Sequence, residues 1–334
     1  MNHPRMLLWL LLAMLSLTAC DSSDDEDTDL IGNWTKSSQF EGLARSGAVC
    51  FTIGDKAYVG LGTDGTDEFK DFWEYDPAIN TWRQRADFPG VARYQAAAFA
   101  VNGKGYVGTG YDGVNRLNDF WEFNPSTNSW TRVADFAGSA RYGAVGLEIA
   151  GKGYLGTGYD GNTKKDFWQY DPSTNQWTQK ASFGGDKRLG ALAFTINGTG
   201  YVLAGSDNAL VKTDIWAYDP TTERWTERRR LELNDSDDEG DDYDYSTVPR
   251  VNGVAFVVNS LAYVTVGMNS SSLSNCWAYD PTSDTWTEKS VFEGAVRTSA
   301  VGFGLGDRGY VGTGTSGSTR LDDFWMLAPN DDNQ

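Results

Sequence analysis

The feature that most constrains this chain is that it repeats itself. The stretch GKGYVGTGYDG (103–113) returns forty-eight residues later as GKGYLGTGYDG (151–161). Repetition at a fixed period decides architecture before any local motif is read, because each repeat can bury its apolar face only against a neighbour. The unit is clearest at 93–130, RYQAAAFAVNGKGYVGTGYDGVNRLNDFWEFNPSTNSW. An Arg opens a small apolar run, followed by a Gly-Tyr-Val-Gly segment, a polar loop, a Phe-Trp segment and a turn that closes on Trp. Four short segments rich in β-branched and aromatic residues, separated by Gly, Asn and Asp-Pro, predict four antiparallel strands.

Tryptophan shows how fully the unit recurs. Trp73, Trp121, Trp168, Trp216, Trp277 and Trp325 occupy the third segment; Trp34, Trp82, Trp130, Trp177, Trp225 and Trp286 occupy the fourth. The steps between the fourth-segment residues are 48, 48, 47, 48 and 61. A four-strand unit at that period is the signature of a β-propeller. Each indole can bury roughly 150–250 Å², so packing between neighbouring sheets accounts for all of these rings and leaves none that requires a ligand. The last copy ends at LDDFWMLAP, before its fourth segment, and the missing piece, NWTKSSQF (33–40), stands at the other end of the chain. The prediction is an all-β, six-bladed propeller over 33–334, closed by an N-terminal strand that completes the C-terminal blade.

The turn sequences YDPAINTW (75–82), FNPSTNSW (123–130), YDPSTNQW (170–177), YDPTTERW (218–225) and YDPTSDTW (279–286) resemble those of kelch repeats, and the resemblance covers residues 33 to 329. The double glycine usual in kelch repeats is written here as Gly-x-Gly, as in Gly108–Gly110 and Gly156–Gly158. The resemblance implies a recognition face built from the loops between the second and third strands and between successive blades. Some kelch propellers are copper radical oxidases similar to galactose oxidase, which need histidine ligands. The only histidine here is His3. Its position excludes that copper chemistry, Ser-His-Asp and Cys-His catalysis and HExxH zinc sites from the repeats. A bacterial kelch family of sialic-acid epimerases uses the same fold, so a histidine-free carbohydrate-active enzyme stands as the alternative to a non-catalytic binding module for a protein or glycan.

The N-terminus reads as a targeting segment. Arg5 precedes the apolar stretch LLWLLLAMLSLTA (7–19), too short to span a bilayer but suited to a secretory signal. It ends in LTAC, which resembles a bacterial lipobox and implies cleavage before Cys20, lipidation of that thiol and attachment to the outer membrane of a Gram-negative cell. The acidic tether at 20–32 is similar to the export signals of surface lipoproteins. Cys50 and Cys276 read as buried apolar residues rather than a disulfide framework. The formal charge of −18 is concentrated: removing six acids at 21–29 and eight at 232–244 from 46 leaves 32 acids against 28 bases. Nucleic acid is therefore excluded as a partner. A monomer is expected, with calcium as the one cofactor the sequence leaves open.

The step of 61 marks thirteen extra residues before the fifth blade. Within them DSDDEG (235–240) has acids Asp235, Asp237 and Glu239 at alternate positions, partly resembling a calcium loop, while Ser246 stands where its closing Glu belongs. A calcium site and a solvated acidic loop both fit. The arginines that open the first strands (Arg45, Arg93, Arg141, Arg188, Arg250 and Arg297) should share one face of the ring. They could bind an anion, or pair with Asp71, Asp119, Asp166, Asp214 and Asp323, which open the third strands. Asn275 breaks the second pattern and would leave Arg250 or Arg297 under-neutralised. Positions that differ between blades are the better guide to a ligand: Tyr94, Tyr111, Arg116, Tyr142 and Tyr159 are candidates for a shallow sugar or peptide site, alongside Arg93, Arg141, Arg250 and Arg297. Glu148 is a singleton carboxylate in a first strand.

Overall fold

The structure is a computed structural model that describes residues 30–234 and 242–332. Six four-stranded antiparallel sheets are arranged around an axis. In the first blade the strands run Val49–Ile53, Lys56–Gly60, Phe72–Asp76 and Thr81–Arg85, in spatial order from the axis outward. Neighbouring first strands touch one another around the whole ring. Burial follows from position in the blade. The first strand alternates between core and channel, the second is almost wholly buried, and the fourth turns polar side chains to solvent.

The sixth blade is closed as the sequence predicts. Asn33–Lys36 pairs antiparallel with Phe324–Ala328, so that Trp34 lies opposite Leu327. Trp34 is buried, meets Phe292 edge-on at 5.0 Å and donates its Nε1–H to Ser290 O at 3.1 Å. Three other fourth-strand indoles repeat this stitch: Trp130, Trp177 and Trp225 donate to Ala86 O, Ala134 O and Ala181 O of the preceding blade at 2.9, 3.1 and 3.2 Å, while Trp82 reaches Ser38 O at 3.5 Å and Trp286 Nε1 has no partner among the described residues. The tryptophans therefore join blades both by area and by hydrogen bond. Four of the twelve are fully buried, Trp34, Trp82, Trp277 and Trp286, and the others are half-buried.

The channel is narrow because its walls are small. Cys50, Gly146, Ala193, Ala255 and Gly302 line a cavity of about 180 Å³. A Cβ on Gly146 would collide with Ala98 O, and one on Gly304 with Val257 O. Cys50 departs in part from the sequence reading: the residue is half-buried and faces the channel, its thiol enclosed against the neighbouring first strand and donating to Gly302 O at 3.3 Å. Period-two alternation sends its side chain to the axis and not to the sheet interface.

Candidate functional site

Both sets of connecting loops that follow the second and fourth strands emerge on one face, because four antiparallel strands return the chain there twice per blade. The six arginines sit just below this face with no exposed surface. Five grip an aspartate with two nitrogens at 2.6–2.9 Å: Arg45–Asp71, Arg93–Asp119, Arg141–Asp166, Arg188–Asp214 and Arg297–Asp323. The same carboxylate accepts the indole N–H two residues on, as Asp119 does from Trp121 at 2.8 Å. Burial pulls Asp119, Asp166, Asp214 and Asp323 upward in pKa, but the arginine bonds and charge and the tryptophan N–H outweigh it and hold them below the ordinary carboxylate value.

The reason for the clamp lies in the turns that end the second strands, which are Gly-x-Gly in four blades, Leu203-Ala204-Gly205 in the fourth and Thr265-Val266-Gly267 in the fifth. The middle residues, Leu61, Thr109, Thr157, Ala204, Val266 and Thr313, have φ of 49–61°. That left-handed conformation costs a residue with a Cβ on the order of 1–2 kcal/mol. Each of their carbonyls accepts an N–H from its blade's arginine at 2.9–3.1 Å. The arginine and aspartate together over-determine a strained bend. Arg93, Arg141 and Arg297 thus hold the blades and have no surface left for a ligand, which corrects their reading as ligand-binding residues. Arg250 is the one that faces Asn275, and it is equally buried. It bonds Asn275 Oδ1 at 3.0 Å and the carbonyls of Thr247, Val248 and Val266 at 2.7–3.1 Å, with no carboxylate. It is under-neutralised but enclosed, and burial pulls its pKa down to about 10. Asn275 Nδ2 donates to Thr247 O at 3.1 Å, and Trp277 Nε1 is left buried without a partner among the described residues.

Two residues after each arginine comes a ring that the sequence reading passed over. Gly47, Gln95, Gly143, Gly190, Asn252 and Ser299 all have φ of 51–64°, and each donates its N–H to the carbonyl of the preceding member at 2.8–3.2 Å, Gly47 closing the circle onto Ser299. This hydrogen-bonded hexagon is the mouth of the channel. Gln95 and Ser299 hold a left-handed backbone that glycine adopts freely at the equivalent positions, so the fold gives no reason for their side chains.

Around the mouth stand the residues between arginine and hexagon, each bridged to the residue that follows one of these turns. Their chemistry divides the face. In the second and third blades the pairs are Tyr94–Tyr111 and Tyr142–Tyr159, and they touch in one arc: centroids are 5.7 Å apart for Tyr94–Tyr111, 5.4 Å for Tyr111–Tyr142 and 5.5 Å for Tyr142–Tyr159. Arg116 lies 5.1 Å over Tyr159. All four rings are half-buried and none of their hydroxyls has a partner among the described residues, whereas core tyrosines such as Tyr58 and Tyr106 donate to Glu74 and Glu122 at 2.8 and 2.7 Å. Burial raises the pKa of Tyr94 and Tyr142; Tyr111 and Glu68 add to the rise at Tyr94, and Arg116 opposes it at Tyr142.

Two family descriptions match the chain. Residues 92–239 match the KLHDC2/KLHL20/DRC7 Kelch-repeats domain and residues 249–290 the Kelch motif. The chain is a kelch-repeat β-propeller. Its fold is similar to that of a solved structure titled "Structure of YjhT", at 18% identity and a TM-score of 0.71, covering 86% of this chain and 95% of that one. No curated protein matches it.

Beside Tyr94, at one end of the tyrosine arc, this kelch propeller has an open pocket of about 340 Å³ whose walls include Tyr94, Gln95, Glu68, Ser299, Thr315 and Arg320. A Cβ on Gly65 would meet Arg320 Nη2 at 2.8 Å and one on Gly113 would meet Glu68 Oε1 at 3.0 Å, so both charged groups are let in by glycines. Glu68 has no hydrogen bond or ion pair from its side chain among the described residues. Arg320 donates Nη1–H to Thr315 Oγ1 at 2.9 Å, while its Nε is buried without a partner among the described residues. On the far side, between the fourth and fifth blades, Leu210, Val211, Val251 and Met268 line a more apolar groove of about 600 Å³. Glu148 lies at the opposite end of its strand and caps its hairpin through Gly151 N at 2.7 Å. Among the described residues no three His, Cys, Asp or Glu side chains cluster to hold a metal ion. Cys20 and the calcium candidates Asp235, Asp237 and Glu239 lie outside the described residues. The sequence reading brought together Tyr94, Tyr111, Arg116, Tyr142 and Tyr159. It missed Glu68, Gln95, Ser299, Thr315 and Arg320; Glu68, Gln95 and Ser299 differ from their counterparts at a fixed repeat position, whereas Thr315 repeats Thr63 and Arg320 repeats Arg116 and so carry no such signal.

Proposed function

We propose that this kelch propeller is a non-catalytic binding protein of the cell envelope, tethered through a lipidated Cys20, whose loop face takes a glycan. The observation that carries the reading is the contiguous arc of four tyrosines with unpartnered hydroxyls, opening beside a polar pocket. Such rings offer an apolar face to the C–H surface of a sugar and a phenol to its hydroxyls, at little cost in side-chain entropy. Lipidation rests on the LTAC sequence and on the short apolar segment before it. The test is a glycan array of neutral and acidic saccharides probed with the mature chain, followed by NMR of any ligand found. Saturable binding that Tyr111→Ala weakens about tenfold, with no new product resonances, is expected. Turnover would replace this reading with the enzymatic one. Failure of every saccharide would sink it and direct the search to protein ligands and the groove at Leu210 and Met268.

A further inference from the structure

We infer that the pocket beside Tyr94 is a site for a small zwitterion, a unit that carries an ammonium and a carboxylate at once. This adds a second specificity to the loop face and does not depend on the tyrosine arc. The hollow lies over the first blade. That blade puts Ser46 and Thr63 at the mouth positions that the second and third blades fill with tyrosine pairs. First strands touch in ring order, so the first blade has the second on one side and the sixth on the other. One flank of the hollow is therefore Tyr94 and Gln95, and the other is Ser299, Thr315 and Arg320.

The two charges of the pocket come from different flanks. Glu68 leaves the first blade's loop toward the second blade, where a Cβ on Gly113 would lie 3.0 Å from its Oε1. Arg320 comes from the sixth blade and reaches the same loop at Gly65, whose Cβ would lie 2.8 Å from its Nη2. Both line one hollow, yet among the described residues they form no ion pair with one another. Asp64, at the tip of that loop, is outside the walls, and its Oδ1 is taken by the amides of Thr66 and Asp67 at 2.7 and 2.8 Å. The one side-chain bond of Arg320 is to Thr315 Oγ1 through Nη1, so Nη2 has no hydrogen bond among the described residues.

Opposite charges kept apart in one hollow select a molecule that bears both. A lone anion gains Arg320 but meets Glu68, a lone cation does the reverse, and a zwitterion gains both. Tyr94 favours the cationic end, because the face of an aromatic ring attracts an ammonium. Ser46, Gln95 and Ser299 supply donors and acceptors for the rest of the unit. The volume of about 340 Å³ is at the small end of ligand pockets and suits one unit. In a glycan that unit is an amino sugar that also bears a carboxylate; free in solution it is an amino acid.

The experiment titrates the mature chain, by NMR, with four sugars of one scaffold: muramic acid (amine and carboxylate), N-acetylmuramic acid (carboxylate alone), glucosamine (amine alone) and N-acetylglucosamine (neither). Glycine, β-alanine and γ-aminobutyrate present the same two charges without a sugar. Muramic acid should bind about tenfold tighter than each of the other three sugars. Glu68→Gln should remove its advantage over N-acetylmuramic acid, and Arg320→Ala its advantage over glucosamine. An amino acid that binds tighter than muramic acid would uphold the zwitterion site and assign it to free amino acids. Equal binding of all four sugars, a preference for a singly charged one, or no binding by any zwitterion would each overturn the inference. The comparison on the unaltered chain decides this even where a variant fails to fold. The glycan reading is tested separately, by longer saccharides and by Tyr111→Ala outside the pocket, and survives failure here.

Discussion

At the residue scale, blade five isolates what one carboxylate contributes. Five blades place an aspartate between a buried arginine and an indole N–H; Asn275 serves neither fully, leaving, among the described residues, Trp277 Nε1 without an acceptor and Arg250 without a carboxylate. The insertion supplies the reason. Thr247 O approaches Asn275 and accepts its Nδ2–H, a bond an aspartate could not make. Arg250 also lacks the aromatic ring that the other five guanidinium groups lie against at 4.6–5.0 Å. Asn275→Asp should nevertheless stabilise the protein by about 1 kcal/mol, because neutralising an enclosed guanidinium outweighs one neutral hydrogen bond. Asp119→Asn should cost about 2 kcal/mol, since no carbonyl waits there for the new N–H. Thermal denaturation of the pair measures both signs. Two losses, or two gains, would refute this account of the clamp.

At the scale of the strand, the Gly-x-Gly turn is more consequential than its spelling suggests. A residue with a Cβ is held left-handed at the end of every second strand, and in Thr157 and Thr313 the hydroxyl is also buried without a partner. The arginine clamp keeps the bend in place; the side chain itself works against it. Thr157→Gly, which restores the double glycine of kelch repeats, should raise stability by about 1 kcal/mol, relief of the left-handed strain and the orphaned hydroxyl exceeding the added entropy of glycine. Thr109→Gly should gain less, because Thr109 Oγ1 accepts from Ala97 N at 3.3 Å. Urea midpoints that fall for Thr157→Gly would show that the lost methyl burial dominates.

For the whole molecule, closure of the ring makes the blades a single cooperative structure, and its pH dependence follows from groups repeated around it. The aspartates held low contribute stability that is complete above the unfolded carboxylate pKa of about 4 and is lost as pH falls through their lower folded values. Burial pushes the Cys50 thiol up to about 11 and Cys276 and the phenols of Tyr170, Tyr263 and Tyr310 up to about 12. For these groups stability is complete below the unfolded values, near 9 for thiols and 10 for phenols, and is lost as pH rises through the folded ones. Arg250 runs the other way, its burial penalty easing above about pH 10, but it is one group against many. The urea midpoint should be flat from about pH 6 to 8 and decline steadily above pH 9. A midpoint that held level to pH 11 would mean that these thiols and phenols are not enclosed as described.

The sequence alone determined the number of blades, the four strands in each and the join of the two ends, because each depends on a period and the tryptophans mark every blade of it, the fifth displaced only by its thirteen-residue insertion. It also singled out Tyr94, Tyr111, Arg116, Tyr142 and Tyr159, since the fold requires no tyrosine there. Only the tertiary structure decided which arginines are enclosed, because a sequence places Arg and Asp on one face without telling how deep that face lies. Only the tertiary structure revealed the hexagon and its pocket, for Glu68, Gln95, Ser299 and Arg320 come from three blades and from both ends of the chain. They become neighbours when the ring closes, and a repeat read one unit at a time does not contain that contact.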